Sequence, residues 1–516
     1  MTFGWRALLA LVSGILLSLA FPPVGASLLA PIAVALFALA VHHAPGRQAA
    51  VVGALQGATT FALLIRWMSL IGVDAWLALV GVCATWMALM AWAQARTSRL
   101  PWWPLWFAML WVAQEALRDR IPIGGFPWGR LAFGQTATTL TPWAAVAGAP
   151  AVTFATALAG GLLAYGLLAF LRRRMEWMVA ALGGLLIVAL AGLLIPRPAV
   201  GEGQPPTAIV AVVQGGVPTV GLGQSDERRA VLDRHVRETL DLADAVGKGQ
   251  VPAPQAVIWP ENAVDIDPYT NPDVAATLTA TARAINAPIL IGAVIDAPGD
   301  PSMAANVGIV WTGDGPQDMY IKRKPVPFGE YVPLRSVLAS LIGRFDRVPR
   351  DFMGGAIPGV LDVGDVRVGD VICFEVAYDE VVRDAVVAGG RAIVVQTNNA
   401  TYAGLGQPEQ QATMSRLRAV EHGRTVLVAA TSGISAVIAP DGAILGEIPE
   451  GQTGSIVVEV PLRDSRTLAD WLGAWPEWLC TIGAAIAVGF TFRRRPDEDG
   501  ARLEAPISAE HPPSPA

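Results

Sequence analysis

Two kinds of apolar pattern divide this chain. Long unbroken apolar runs crowd residues 1–195 and return at 471–492, whereas the residues between them interleave short apolar runs with amphipathic stretches. The long runs predict seven helical spans near 7–22, 26–41, 49–65, 75–94, 101–117, 143–171 and 177–195, and an eighth near 472–492. Each approaches the roughly 20 residues a helix needs to cross a bilayer core. Pro22-Pro23 separates the first two spans, and the Ala44-Pro45-Gly46 turn separates the second from the third. Trp471, Trp475 and Trp478 stand at the start of the eighth, as an interfacial belt would.

The middle of the chain has a different rhythm. Strand-like runs fall at Thr207–Val213, Ala256–Trp259, Pro288–Val294, Asn306–Trp311, Val368–Phe374, Ala392–Thr397, Thr425–Ala430 and Ile434–Ala439. Helical periodicity falls at 225–246, 272–285, 378–388 and 407–422. Asn271-Pro272-Asp273 reads as a helix start, with Asn at the cap and Pro at the first helical position. Asp441-Gly442 reads as a hairpin turn. Strands and helices interleaved in this way predict a layered α/β domain. The chain shows no internal repeat, no Gly-rich phosphate loop and no His/Cys spacing of a metal set, so neither cofactor nor metal is expected.

Composition agrees with a membrane chain. It is 53% apolar and 16% charged, against about a quarter charged in soluble proteins. The basic residues then orient it. With the N-terminus inside, Arg47, Arg96, Arg99, Arg172-Arg173-Arg174 and Arg493-Arg494-Arg495 all fall on the cytoplasmic side, as the positive-inside rule asks. The expected organisation is a membrane domain of seven transmembrane helices at 1–199, an extracytoplasmic α/β domain at 200–466, an eighth transmembrane helix at 467–495 and a disordered cytoplasmic tail at 496–516. The first span reads as retained rather than as a cleaved leader. A net charge of −6 argues against a nucleic-acid partner.

Of three cysteines, Cys83 and Cys480 lie inside predicted spans, which leaves Cys373 as the sole thiol of the external domain. A lone Cys after β-branched residues is ordinarily a buried structural thiol. Two other segments change that reading: Trp259-Pro260-Glu261-Asn262, and Tyr320-Ile321-Lys322 followed by Pro327-Phe328-Gly329-Glu330. Each ends an apolar run with a charge that is awkward to bury. Together they supply a nucleophile (Cys373), a base (Glu261) and a cation for a developing oxyanion (Lys322).

At these motifs the sequence resembles the nitrilase superfamily, and more narrowly the apolipoprotein N-acyltransferase family, across nearly its whole length. The string Pro-Phe-Gly-Glu-Tyr-Val-Pro at 327–333 is the most specific match, and Gly124-Gly125-Phe126-Pro127-Trp128 is another. The resemblance implies an α-β-β-α sandwich and a Glu261, Lys322, Cys373 triad, with Glu330 and Glu375 as further site carboxylates. Asn306, Tyr331, Phe374 and Tyr402 are candidate substrate contacts. It also implies a bacterial plasma-membrane enzyme that forms a thioester from a phospholipid acyl donor and passes the acyl group to the N-terminal amine of a diacylated apolipoprotein. High Ala, Val, Gly and Arg usage resembles actinobacterial members. For some of these a polyprenol-phosphate mannosyltransferase is a fused or associated partner, though no segment here reads as that domain.

The chain departs from many relatives in two loops. Residues 215–224 contain no aromatic, and Thr401 stands where a Trp is common. Segments 217–224, 333–355 and 401–408 are candidate lids over an acyl chain. Two other readings remain open: a membrane-anchored amidase of nitrilase type, and a non-enzymatic scaffold or transporter with a degenerate external domain.

Overall fold

The computed structural model of the chain describes residues 1–196, 205–218, 224–333, 335 and 350–493. Helices occupy all eight predicted long apolar segments: α1 Phe3–Leu19, α2 Leu29–Val41, α3 Gly46–Leu64, α4 Val73–Thr97, α5 Trp103–Arg118, α6 Ala144–Leu171, α7 Met175–Leu194, and Trp475–Arg493 near the C-terminus. By length and composition, three of them can cross a membrane: Val73–Thr97, Thr141–Leu171 (α6 with its leading turn) and Met175–Leu194. The others are shorter, as α2 is at 13 residues, or carry polar residues, as α3 does with Gln48, Gln56 and Thr60.

Small residues let these helices approach closely. Gly53 and Gly57 face α4, where a Cβ on Gly53 would lie 2.4 Å from Ala91 and one on Gly57 would lie 2.8 Å from Met87. This is the small-xxx-small packing of helices in lipid. At one end of the bundle, Arg6 donates to Ala40 and His42 carbonyls, the backbone N–H of His43 donates to Ser98, and Arg96 donates to Thr491.

The α/β part sits at the other end. One sheet has the order β12-β1-β2-β3-β4-β5 and the other β11-β10-β9-β8-β7-β6. In the first, β1 is Thr207–Gln214, β2 Ala256–Ile258, β3 Ile289–Ala297, β4 Asp300–Thr312, β5 Gly315–Ile321 and β12 Gly454–Pro461. In the second, β6 is Val360–Val363, β7 Val366–Ile372, β8 Ala392–Thr397, β9 Val426–Ala430, β10 Ser435–Ile438 and β11 Ile444–Ile448. Val212, Ile258, Leu290, Val310, Val368, Ile372, Val394 and Leu427 fill the space between the sheets. Helices α8 Gln224–Gly247 and α9 Pro272–Ile285 cover the first sheet; α10 Asp379–Val387 and α11 Gln407–His422 cover the second. The short α12 Leu468–Leu472 leads into α13, the Trp475–Arg493 helix.

Layer α10/α11 has a second neighbour. Val381, Val382, Met414, Leu417 and Val420 share one buried cluster with Phe133, Trp128 and Val152 of the helical part. The sandwich therefore meets the bundle through its own outer helices.

The expected strands are present, and four others join them. β5, β6 and β11 are polar, short or exposed, and their place comes from pairing with a neighbour rather than from apolar runs; β12 carries the apolar run Ile456-Val457-Val458 and pairs with β1. Two readings need correction. The strand expected to reach Phe374 stops at Ile372, because the chain turns into a 3-10 helix at Cys373–Ala377. Asn271 does not cap α9 through its side chain, which donates instead to the Asp267 carbonyl. Glu115 and Arg118, near the end of α5, are buried. The linker residues 200–204, Arg494-Arg495 and the tail at 496–516 lie outside the described residues.

Candidate active site

The strand order brings the three expected segments to the same edge of the sandwich. Glu261 follows β2, Lys322 follows β5 and Cys373 follows β7, each at the carboxyl end of its strand. Lys322 is fully buried and its Nζ lies 3.1 Å from Glu261 Oε1 and 2.8 Å from Glu330 Oε1. Asn306 on β4 donates from one Nδ2 to the same two oxygens, at 2.7 and 2.8 Å. The remaining carboxylate oxygens are also engaged: Asn398 N–H donates to Glu261 Oε2 at 2.9 Å, and Val326 N–H donates to Glu330 Oε2 at 2.6 Å. Burial works against the Lys322 charge, but the two carboxylates outweigh it and hold its pKa well above the usual lysine value.

Cys373 has φ +56°, in the left-handed region that non-glycine residues rarely occupy. Several contacts maintain that turn. Gln411 Nε2 donates to the Cys373 carbonyl at 3.0 Å. Arg418, fully buried on α11, donates to the carbonyls of Val376 and Ala377 at 2.8 and 2.9 Å. Burial, then the Glu261 carboxylate, push the Cys373 thiol up to about 12, against the opposing pull of the Lys322 ammonium. The resting thiol is therefore protonated.

Glu375 is fully buried beside the cluster. Its carboxylate makes no hydrogen bond to Lys322 among the described residues. It accepts instead from Ile372 N–H at 2.8 Å, Arg323 N–H at 2.7 Å, Lys324 N–H at 3.0 Å and the Tyr320 hydroxyl at 2.9 Å. It ties the strand that delivers Cys373 to the chain on either side of Lys322. Burial raises its pKa, and the donated hydrogen bonds oppose that rise.

The four candidate substrate contacts divide. Asn306 is an integral part of the polar cluster. Phe374 forms an aromatic wall with the helical part, stacked on Trp128 and Phe126 and edge-on to Tyr378. Tyr402 lies edge-on to Trp67 at 5.0 Å, close enough to Cys373 and Glu261 that, after burial, these two also raise its pKa. The carbonyl of Tyr331 accepts from Phe328 N–H in the turn that carries Glu330, a backbone role. Of the candidate lids, 401–408 is described; 219–223, 334 and 336–349 lie outside the described residues.

Several contributors carried no signal in the sequence. Gln410 and Gln411 read only as polar positions of a helix, yet Gln411 holds Cys373. Gln410 Oε1 accepts from both the Trp67 and Trp128 indoles, while its Nε2 donates to the Pro22 and Leu64 carbonyls. Asn398 acts through its backbone, which no side-chain pattern reveals.

Known proteins give this geometry its context. Residues 13–162 match the family described as apolipoprotein N-acyltransferase N-terminal domain, and residues 210–470 match the carbon-nitrogen hydrolase family. The chain is 40% identical over 504 residues to an apolipoprotein N-acyltransferase of Mycolicibacterium smegmatis, covering 93% of this chain and 84% of that one. This chain belongs to the apolipoprotein N-acyltransferase family. A second member, from Azotobacter vinelandii, is 32% identical over 96% of this chain and 97% of its own length. A solved amidase of the nitrilase superfamily from Nesterenkonia AN1 aligns with 50% of this chain and 92% of its own, at 20% identity and a TM-score of 0.36.

In this apolipoprotein N-acyltransferase family member, buried charge joins the sandwich to the bundle. Arg130, in the loop after α5, bonds both oxygens of Asp379 on α10 at 2.9 and 2.8 Å, and Arg418 meets the same carboxylate at 2.7 Å. The Arg130 and Arg418 guanidiniums are buried, and pairs of this kind are costly to break from one side. Within the helical part, the exposed Arg120 pairs with Glu477 of α13 at 2.7 Å.

Proposed function

We propose that this chain carries an acyl group from a membrane phospholipid, through a thioester on Cys373, to the α-amine of a diacylglyceryl-cysteine at the N-terminus of lipoproteins. Its family makes it a membrane acyltransferase of lipoprotein N-acylation; the donor, the thioester and the residue roles are our reading. The observation that carries it is the position of Cys373, with the Lys322, Glu261 and Asn306 cluster on one side and the Phe374, Trp128 and Phe126 wall on the other. Polar catalysis beside an apolar wall suits an ester at the head of a lipid tail.

In the first step, Glu261 takes the thiol proton as Cys373 Sγ attacks the ester carbonyl. Lys322 faces the oxyanion, an interaction of about 3–4 kcal/mol if it acts as other oxyanion donors do. Collapse breaks the ester C–O bond, and Glu261 returns its proton to the departing lysophospholipid oxygen. In the second step, the lipoprotein amine attacks the thioester, Glu261 takes an amine proton, and the Cys373 thiol leaves with it. Glu330 and Asn306 orient Lys322 and Glu261; Glu375 positions the two chain segments. Phe374 and Tyr402 line the acyl path, and Tyr331 supports the Glu330 turn.

We also read all eight long apolar helices as membrane crossings, with the domain bounds 1–199, 200–466 and 467–495. Arg47, Arg96, Arg99, Arg172–Arg174 and Arg493 gather at helix ends remote from Cys373, which supports an extracytoplasmic catalytic side. A polyprenol-phosphate mannosyltransferase partner rests on the family resemblance alone.

The test is the intact mass of purified protein after incubation with phospholipid. A gain of one acyl mass, removed by neutral hydroxylamine and absent in Cys373→Ala, is expected. Discharge by a diacylated peptide with a free N-terminal amine, and not by its acetylated form, separates transfer from hydrolysis. Decay to free acid at one rate with or without the peptide overturns the transferase reading.

A further inference from the structure

A further acid lies behind the site and takes no part in the chemistry above. Asp370 is on β7, three residues before Cys373, on the face that points between the sheets with Val368 and Ile372. It is 0% exposed, and neither carboxylate oxygen has a hydrogen-bond partner among the described residues. Gln396, paired with Ile372 on the neighbouring strand β8, is equally buried, and its Oε1 also lacks a partner. Both point into one small space above Gly308 of β4. A Cβ placed on Gly308 would lie 2.2 Å from Asp370 Oδ2 and 2.8 Å from Gln396 Oε1.

Two acceptor oxygens that face each other in a dry core repel unless one carries a proton. The Gln396 amide cannot turn to help, because its Nε2 already donates to the Trp259 carbonyl at 2.6 Å. We propose that Asp370 is kept as a neutral acid that donates to Gln396 Oε1 on the neighbouring strand of the same sheet, and that Gln396, so held, reaches across to the other sheet and positions Glu261 through the Trp259 carbonyl. Trp259 stands two residues before Glu261, and the chain after Gln396 supplies the Asn398 N–H that holds Glu261 Oε2. Both ends of the Glu261 site thus hang on Gln396.

The surroundings favour the neutral form. Burial, then the carboxylates of Glu375 and Glu261, raise the Asp370 pKa well above the usual carboxylate range. The other ionisable group facing it is the Tyr320 hydroxyl on β5, which is itself engaged with Glu375. Gly308 leaves the room in which the acid and the amide meet.

The proposal rests on Glu261 as base for its functional half, and its test reads the proton separately. Asp370→Asn keeps a donor of the same shape; Asp370→Leu keeps the volume and removes it. Acyl-enzyme formation should stay within about threefold of wild type in the Asn variant and fall by roughly tenfold or more in the Leu variant, as misplaced catalytic groups do. Infrared difference spectra at neutral pH should contain a protonated carboxylic acid band that Asp370→Asn removes. Stability gives the same answer. The folded state keeps a proton that the unfolded chain sheds above about pH 4, so this group lowers stability progressively as pH rises from there toward its folded pKa. Asp370→Asn should therefore remove part of the fall in Tm with pH. Absence of the acid band, with an unchanged pH slope, overturns the neutral acid whether or not Glu261 is the base. Equal losses of acylation in Asn and Leu, with the band present, overturn the positioning role alone. Should Asp370→Leu fail to fold, the spectrum and pH slope of the Asn variant decide the proton, and its acylation rate decides the positioning: a loss of tenfold or more there overturns it.

Discussion

The indole of Trp128 lies parallel to the ring of Phe374, centroids 5.7 Å apart and planes 5° apart. Trp128 belongs to a loop of the helical part, and Phe374 directly follows Cys373, so this stack is a direct contact between the bundle and the turn that carries Cys373. Its Nε1 also donates to Gln410 at 2.7 Å. Trp128→Phe should keep the stack and lose the hydrogen bond, whereas Trp128→Ala loses both. Stacking of this kind contributes about 0.5–1.5 kcal/mol. The Ala variant should therefore slow Cys373 acylation several-fold more than the Phe variant, measured by the rate of mass gain. Equal rates would show that the wall does not serve the reaction.

Cys373→Ala should abolish transfer and leave the detergent Tm within about 1–2 °C of wild type, because Cys373 is half-buried and the turn is held by its backbone. Cys373→Ser should be nearly as inactive, since its hydroxyl is a far weaker acid than a thiol. Transfer near the wild-type rate in Cys373→Ala would end the thioester mechanism.

The thiol pKa gives a signed prediction. With the thiol at about 12, alkylation of resting enzyme by iodoacetamide should keep rising with pH beyond 9, with no plateau near the value of a free cysteine. Glu261 is a raising influence and Lys322 a lowering one. Glu261→Gln should therefore alkylate faster than wild type at pH 8 while losing acyl-enzyme formation, and Lys322→Met should alkylate more slowly. An opposite order would mean that these charges do not act on Cys373.

Gln410→Leu should destabilise the protein by at least about 2 kcal/mol, because it strands two indole N–H groups and two carbonyls in a buried place. Proteolysis in detergent and Tm both read this. A neutral outcome would mean that water reaches these groups.

Sidedness can be read without Cys373, whose thiol is too weakly ionised to report. In a background lacking Cys83 and Cys480, Ser302→Cys on the exposed β3–β4 hairpin should react with an impermeant reagent in intact cells freed of their wall. Arg173→Cys, exposed between α6 and α7, should react only after lysis. The reverse pattern would put the catalytic side in the cytoplasm.

Most of the architecture was legible from apolar runs, since lipid-facing helices and doubly covered strands both need them. β11 was not, because its exposed residues carry no such run and only pairing places it. In the site, Glu261, Lys322 and Cys373 stood out as polar residues ending apolar strands. Gln410, Gln411 and Asn398 did not: an amide side chain or a backbone N–H looks alike wherever it occurs, and its use depends on which distant oxygen the fold brings to it. Glu375 was recognisable as a site residue, but its partners were not, since they are mainly backbone N–H groups from two separate segments.

Helix α11 has one face on a β-sheet and the other on bundle residues such as Phe133 and Val152. Cutting the chain at the boundaries of the sandwich would leave that second face bare, with Met414 and Leu417 turned to water. A fragment of this enzyme cut down to the sandwich should therefore aggregate or need detergent. The catalytic half is a domain by topology but not by solubility, and a minimal active preparation has to keep the helices it leans on.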